Sequence, residues 1–335
     1  MSHLIRTLGI IFVCAALNQG CSDGDKTPAP DGTSSKTDGG VTTKDGSGGG
    51  ADSSPSADAI SSSKSSLKVA AVQYGSGQFA MVGSCTNDVC ALSELIKQAQ
   101  KNGAEIVATP EYAVEQKTAE TSPNKGDDVV NDARFKDGSI IKTFGKLAVQ
   151  LKVTVIFNLI TQVGSGTTAK LYNTQLAVGP AGKVVARHYK FHLFGNENTQ
   201  LTAGTNVTTN FFDTPAGKVG LLICADIQCI VYGKGPDCPA RNLALLQEYT
   251  KQNAVATFFS AYWTVGQSNA GSSAWWPLNV QKKFAVDAKQ YVIAANTSAG
   301  PGQGGGIFKP GGAEIQSSTT GKPAVIYGEL PIPKK

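Results

Sequence analysis

The chain has no internal repeat, no strong excess of either charge and no apolar run long enough to cross a bilayer. Its longest candidate, residues 8–17, holds ten residues, whereas a spanning helix needs about 20. The net charge is only +5 and the Lys and Arg residues are scattered. No basic stripe of the kind that binds nucleic acid is present. Residues 22–66 are Ser, Gly, Asp, Thr and Lys with hardly an aliphatic side chain. Such a stretch cannot bury enough apolar surface to offset the entropy of ordering, so it reads as a flexible tether. The glycine-rich stretch 300–306 lacks the Lys-Ser/Thr ending of a phosphate cradle and reads instead as a substrate-side loop.

What is present begins with a short basic start, the apolar run 8–17 and small or polar residues up to Cys21. Together they read as a secretory signal over residues 1–21. Cys21 is the lipidation candidate, with simple cleavage as the other reading. Residues 67–335 are rich in Val, Ile, Leu, Ala and Phe, enough for one sizeable core and read as one catalytic domain.

Of the seven cysteines, Cys14 leaves with the signal and Cys21 is set aside for lipid. An exported chain meets an oxidising compartment, where Cys85 with Cys90 and Cys229 with Cys238 make two local disulfide candidates. Cys224 is then the odd thiol. A buried small hydrophobe is the bland reading of such a residue; a reactive thiol is the sharp one.

Apolar periodicity places strands over 67–73, 105–108, 153–159, 218–223, 254–259 and 291–295. Helical spacing falls over 89–99, 140–151, 239–253 and 281–289, and Gly179-Pro180-Ala181-Gly182 turns a hairpin between 173–178 and 183–188. Strands alternating with helices indicate an α/β fold with helix-covered sheets. Glu111, Lys190 and Cys224 each fall at or just past a strand end, where α/β folds collect their sites. Amide cleavage by a thiol needs a base for its proton and a positive or N–H donor for the oxyanion. Glu111 supplies the first, Lys190 and the backbone N–H of Ala225 the second.

Ala108-Thr109-Pro110-Glu111, Arg187-His188-Tyr189-Lys190 and Gly220-Leu221-Leu222-Ile223-Cys224-Ala225-Asp226 resemble the three catalytic signatures of the nitrilase, or carbon–nitrogen hydrolase, superfamily. The segments Phe212-Asp213-Thr214-Pro215, Gln281 to Val286 and Ala294-Ala295-Asn296 are similar to the biotinidase and vanin (pantetheinase) branch. The resemblance implies a four-layer αββα sandwich, no metal or organic cofactor, a second, structural glutamate at Glu197, and pairing into a homodimer. It also implies a small-molecule amide as substrate. Where the vanins carry Pro-Glu-Asp-Gly, this chain has Pro110-Glu111-Tyr112-Ala113, so Tyr112 alters the pocket beside the base. About two dozen residues follow Gly312, short of the extra C-terminal domain of the animal enzymes.

The expected activity is therefore hydrolysis of a linear, non-peptide amide through a Cys224 thioester, pantetheinase- or biotinidase-like in substrate. Nitrilase action or N-acyl transfer stands beside it, as does a surface lipoprotein that binds its ligand without turnover. Any membrane association would run only through the lipid on Cys21. His188 and His192, four apart with Cys224 as a third ligand, suggest zinc only on a helix; the local pattern is strand then loop, and no acidic partner is evident. Trp263, Trp275 and Trp276 flank a Gly/Ser-rich stretch and read either as lining for an apolar acyl pocket or as ordinary core aromatics.

Overall fold

The computed structural model describes residues 64–114, 119–232, 238, 242–263, 276–298 and 304–334. The signal, Cys21 and nearly all of the tether lie outside the described residues, as do Trp275, the side chain of Trp276 and residues 300–303. The unit Ser61–Lys335 carries the fold.

Its first half contains β1 (Ser66–Gln73), α1 (Asp88–Lys101), β2 (Ile106–Ala108), β3 (Glu120–Thr121), α2 (Ile140–Leu151), β4 (Thr154–Val163), β5 (Lys170–Val178) and β6 (Val184–Tyr189). The second contains α3 (Glu197–Gln200), β7 (Phe211–Thr214), β8 (Gly217–Ile223), α4 (Ala225–Val231), α5 (Leu243–Lys251), β9 (Ala256–Ala261), α6 (Trp276–Ala288), β10 (Tyr291–Asn296), β11 (Gly305–Phe308), β12 (Glu314–Ser318) and β13 (Ala324–Pro331). Side-chain caps fix several helix starts: Asn87 accepts from Cys90 N, Ser139 from Lys142 N and Asn242 from Leu245 N.

One sheet runs β13-β1-β2-β4-β5-β6, with β3 beside β4; the other runs β12-β11-β10-β9-β8-β7. Each has three parallel strands at its centre, β1, β2 and β4 in the first and β8, β9 and β10 in the second, with antiparallel strands outside them apart from the short β3, which pairs with β4 in parallel.

Alternation along the strands sorts the core into three layers. In β1, Leu67, Val69 and Ala71 face the other sheet, meeting Leu221, Phe258 and Ile293, while Ala70 and Val72 face α1 and α2. In β8 the assignment repeats: Val219 and Leu221 lie between the sheets, and Leu222 and Ile223 pack under α4, α5 and α6. The product is the expected four-layer αββα sandwich. Each fully buried Val, Leu, Ile or Phe side chain in these layers contributes about 1.5–3 kcal/mol.

The seam between the sheets changes character at the C-terminal ends of the central strands. There Gln175 donates from Nε2 to Ser260 Oγ (2.8 Å), and Ser260 Oγ donates to the Thr109 carbonyl (2.7 Å). Gln73 donates to the Ala294 carbonyl and accepts from Asn296 N. These buried groups hold the sheets together by directional bonds where the functional side chains emerge.

Two expectations need correction. No strand is indicated by the sequence over 324–331, yet β13 pairs along the whole of β1, from Ser66 with Pro331 to Gln73 with Ala324. Within 300–306, Gly305 and Gly306 are not loop but the start of β11. A Cβ on Gly304 would lie 1.5 Å from the Ser318 carbonyl oxygen, and one on Gly305 2.0 Å from that of Ala294. Close backbone packing, not substrate, explains those glycines.

Candidate active site

Strand β2 ends in Thr109-Pro110, and Glu111 follows with its carboxylate buried in the seam. Strand β8 delivers Cys224, whose backbone turns through φ 43° and ψ −106° before α4 begins at Ala225. That left-handed turn, a conformation costing about 1–3 kcal/mol for a non-glycine residue, aims the side chain out of the sheet. The backbone N–H of Cys224 donates to the Ser260 carbonyl at 2.9 Å, tying the turn to β9. The signature glycine of β8, Gly220, is explained by packing, because a Cβ there would come within 2.4 Å of the Tyr249 ring.

Lys190 leaves the end of β6, next to Asn173 of β5 through an N–H···O bond of 2.9 Å. Its ammonium meets Glu111 Oε1 at 2.7 Å and Glu197 Oε2 at 2.8 Å. The thiol of Cys224 shares the cavity wall with the Glu111 carboxylate, near enough for each to shift the other's titration. The three residues singled out from the sequence therefore meet, with Glu111 at the centre. Glu197, on the short α3, joins the same group, and Tyr112 donates its hydroxyl to Glu197 Oε1. Among the described residues Cys224 is the free cysteine, whereas Cys85–Cys90 and Cys229–Cys238 are disulfides.

Asn173 had no signal in the sequence. Its Nδ2 lies 2.8 Å from Glu111 Oε1, 2.7 Å from Glu197 Oε1 and 3.0 Å from the Tyr112 hydroxyl. Asn158 Nδ2 donates to Asn173 Oδ1 at 2.6 Å, which turns the Asn173 amide nitrogen toward the carboxylates. The other oxygen of Glu111 accepts from Tyr262 N at 3.0 Å.

Burial pushes the Glu111 carboxyl up against the pull of Lys190, and the nearby Glu197 adds to the rise. Burial and the charge of Glu111 likewise push the Cys224 thiol well up, against Lys190. For Lys190 burial opposes the charge, but Cys224, Glu111 and Glu197 outweigh it and hold the ammonium well above its ordinary range. Burial also works against charge on Glu197, yet Lys190, Tyr112 and the Phe194 N–H bring its carboxyl below the usual range. The resting site thus holds a thiol, not a preformed thiolate, with the Glu111 carboxylate beside it as the acceptor for its proton.

Behind the nucleophile, Asp226 supplies the acidic partner that was not evident in the sequence. Its Oδ1 accepts from Phe191 N (3.0 Å) and His192 N (2.9 Å) and faces His192 Nδ1 at 3.2 Å. Its Oδ2 accepts from Ile223 N (3.1 Å) and faces His188 Nε2 at 2.7 Å. The two histidines, weighed as zinc ligands with Cys224, turn instead to this carboxylate. Asp226 thereby links the segment carrying Lys190 to the turn carrying Cys224.

A cavity of about 350 Å³ opens over the cluster. Glu111, Lys190, Glu197 and Cys224 form its reactive wall, with Tyr112, Phe194, Tyr262 and Trp263 supplying aromatic surface. Trp263 meets both readings: it lines this cavity and is at the same time a buried core aromatic packed on Phe259.

A sandwich of this kind, with Glu, Lys and Cys gathered at the seam of its two sheets, defines the class: the chain belongs to the nitrilase, or carbon–nitrogen hydrolase, superfamily. Residues 68–230 match the family model described as carbon-nitrogen hydrolase. Among curated proteins the chain is similar to omega-amidase NIT2 of Bos taurus, 28% identical over 211 residues covering 60% of this chain and 66% of the relative. It is similar to human omega-amidase NIT2 at 24% identity, covering 74% of this chain and 84% of that protein. Symplectin of Sthenoteuthis oualaniensis is 32% identical over 45% of this chain and 26% of that protein. The chain thus spans just under two thirds of the first of these omega-amidases and about a quarter of symplectin. Among solved structures, Saccharomyces cerevisiae Nit3, a member of branch 10 of the nitrilase superfamily, superposes with a TM-score of 0.59 at 20% identity over 80% of this chain and 90% of Nit3. A mutant amidase from Nesterenkonia gives 0.58 at 14% over 80% and 91%. These likenesses show the fold.

Proposed function

We propose that the protein hydrolyses a linear, non-peptide amide to a carboxylic acid and an amine through a thioester on Cys224. The observation that carries this reading is the convergence of Glu111, Lys190 and Cys224 on one wall of the cavity, with the Glu111 carboxylate 2.7 Å from the Lys190 ammonium and the Cys224 thiol beside it. In the forward step the Cys224 proton passes to Glu111 as sulfur bonds to the amide carbon. The oxyanion that forms is held by the third N–H of Lys190, the two others being committed to Glu111 and Glu197, and by the N–H of Ala225 at the start of α4. Glu111 then returns the proton to the departing nitrogen. Water adds to the thioester with Glu111 again taking a proton, and Cys224 leaves as the thiol with the acid as product.

Pantetheine- and biotinyl-type amides are the first substrates to offer, on the strength of the flanking sequence similarity, with Tyr112 as the departure beside the base. The Cys224→Ala protein should fold normally and lose turnover of any amide that the wild type cleaves; undiminished turnover would sink the reading. An acyl product found only on an added amine would instead indicate transfer, and sluggish alkylation of Cys224 at neutral pH would favour a binding protein without turnover.

We further propose that the domain is exported and held to a membrane by lipid on Cys21 through the tether 22–66. The two disulfides support an oxidising compartment. Mass spectrometry of the N-terminal peptide tests it, and Cys21→Ser should release the protein from the membrane fraction. Pairing into a homodimer, proposed by family resemblance alone, is tested by light scattering.

A further inference from the structure

Glu111 and Glu197 share the ammonium of Lys190. Like charges gathered in one buried site favour uptake of a proton by one of them, and burial together with the charge of Glu197 does push the Glu111 carboxyl up. The mechanism above nevertheless needs Glu111 at rest as the carboxylate, ready for the Cys224 proton. Asn173 adds to what the shared ammonium supplies. Its Nδ2 donates to Glu111 Oε1 at 2.8 Å and to Glu197 Oε1 at 2.7 Å, with the Tyr112 hydroxyl 3.0 Å away. The direction of that amide follows from backbone groups whose polarity cannot reverse. Asn158 Oδ1 accepts from Tyr112 N at 3.0 Å, and Asn158 Nδ2 donates to the Thr174 carbonyl at 3.1 Å. The same Nδ2 donates to Asn173 Oδ1 at 2.6 Å, which leaves both hydrogens of Asn173 Nδ2 for the carboxylate side. Asn158 is 2% exposed and Asn173 0%, so these bonds act in a low dielectric, where they are strongest.

We infer that Asn173 is a positioning residue that holds Glu111 in its ionised form, and that Asn158 orients the Asn173 amide for that task. The inference rests on the amidase reading and deepens it. The groups that face Glu111 are Lys190 from the end of β6, Glu197 from α3, Cys224 at the start of α4, the adjoining Tyr112, the Tyr262 N–H and Asn173. Glu197 and the sulfur disfavour its charge, whereas Lys190 and the two N–H donors favour it. Loss of one hydrogen bond to a buried charge raises such a carboxyl by about one to two pH units. Glu111 would then keep its proton to higher pH and be unable to take another from Cys224.

The test is Asn173→Leu, which keeps the bulk and removes the donor. For any amide that the wild type cleaves, the acid limb of the kcat/KM profile should move up by about one to two pH units, with the plateau above it kept within about tenfold of the wild type. An unmoved limb, or a loss of the same factor at every pH, overturns the inference and leaves the amidase reading intact. If Asn173→Leu does not fold, Asn173→Thr suits a strand and keeps one O–H donor. Its limb should also move up, by less, and a uniform loss there overturns the inference equally. The infrared C=O stretch of the protonated Glu111 carboxyl, assigned by its disappearance on Glu111→Gln in each background, follows the same transition without substrate. If the wild type cleaves no amide but this transition lies one to two pH units higher in Asn173→Leu, the amidase reading fails and the inference holds. Coincident infrared transitions overturn the inference whatever the amides do.

Discussion

Replacing Asp226 with Asn tests whether the two catalytic segments are held in register by one buried carboxylate. The change preserves shape but converts one oxygen into an N–H₂ group. If that group takes the Oδ2 place, it confronts the Ile223 N–H, donor against donor, and loses the charge-assisted contact with His188 at 2.7 Å. Placed the other way, it faces the N–H groups of Phe191 and His192. Hydrogen bonds to a buried charge are worth about 1.5–3 kcal/mol each, and at least two are lost in either orientation. The expected destabilisation is therefore about 3–6 kcal/mol, read as a melting temperature lower by about 10 °C or more.

The pH dependence of that difference has a fixed sign. Burial alone would raise the Asp226 carboxyl, but the hydrogen bonds and charges of His188 and His192 hold it far below the ordinary carboxylate range. A depressed folded-state pKa gives stability that is complete above the unfolded value of about 3.9 and is lost as pH falls below it. The gap between wild type and Asp226→Asn should stay constant from about pH 8 to pH 5 and narrow only below about pH 4. Turnover should fall by 10-fold or more through kcat, since the segment of Lys190 is no longer tied to the Cys224 turn, and by more than KM changes. A variant that melts with the wild type and keeps its kcat would refute the staple.

Glu111→Gln should lower activity by about 10²–10⁴-fold, the ordinary contribution of a general base. It also removes a negative charge that pushes the Cys224 thiol up, so the pH profile of iodoacetamide labelling should move to lower pH as turnover falls. Tyr112→Phe removes the hydroxyl bonded to Glu197 and Asn173 and should cost about 1 kcal/mol of stability by thermal melting. The double change Cys85→Ser with Cys90→Ser opens a short loop and should cost about 2 kcal/mol, with kcat kept because neither residue lines the cavity. EDTA should leave turnover unchanged while iodoacetamide abolishes it; loss of activity with EDTA would revive a metal reading around His188 and His192.

The residues that act on the substrate were easier to read than those that position them. Glu111, Lys190 and Cys224 sit at strand ends, and an apolar run stopping at a reactive side chain is visible in one dimension. Glu197 was reached only by family resemblance. Asn173 lies in the middle of a hairpin strand and gains its role because β5 lies beside β6 and thus beside Lys190. Asp226 stood inside a quoted signature without a role, since its partners come from a segment more than thirty residues away. The same limit applies to the fold: the central βα alternation follows from local periodicity, whereas β13 is a strand because β1 offers it a free edge.

The site also depends on both sheets at once. Glu111 and Lys190 emerge from the first sheet, and Cys224 from the second. Apolar contacts bring the two sheets together over most of the seam, but such contacts are non-directional and tolerate small slips. A slip of 1 Å would separate the thiol from its base. The polar ties Gln175 to Ser260, Ser260 to Thr109 and Gln73 to Ala294 occur at the end of the seam where that precision matters. On this reasoning Gln175→Leu, which keeps the volume and gives up the tie, should leave much of the stability in place while lowering kcat by about tenfold. Its Oε1 is buried without a hydrogen-bond partner among the described residues, so loss of the amide relieves one desolvated group as it breaks the 2.8 Å bond. A Gln175→Leu protein with wild-type kcat would show that apolar packing alone sets the distance between Cys224 and Glu111.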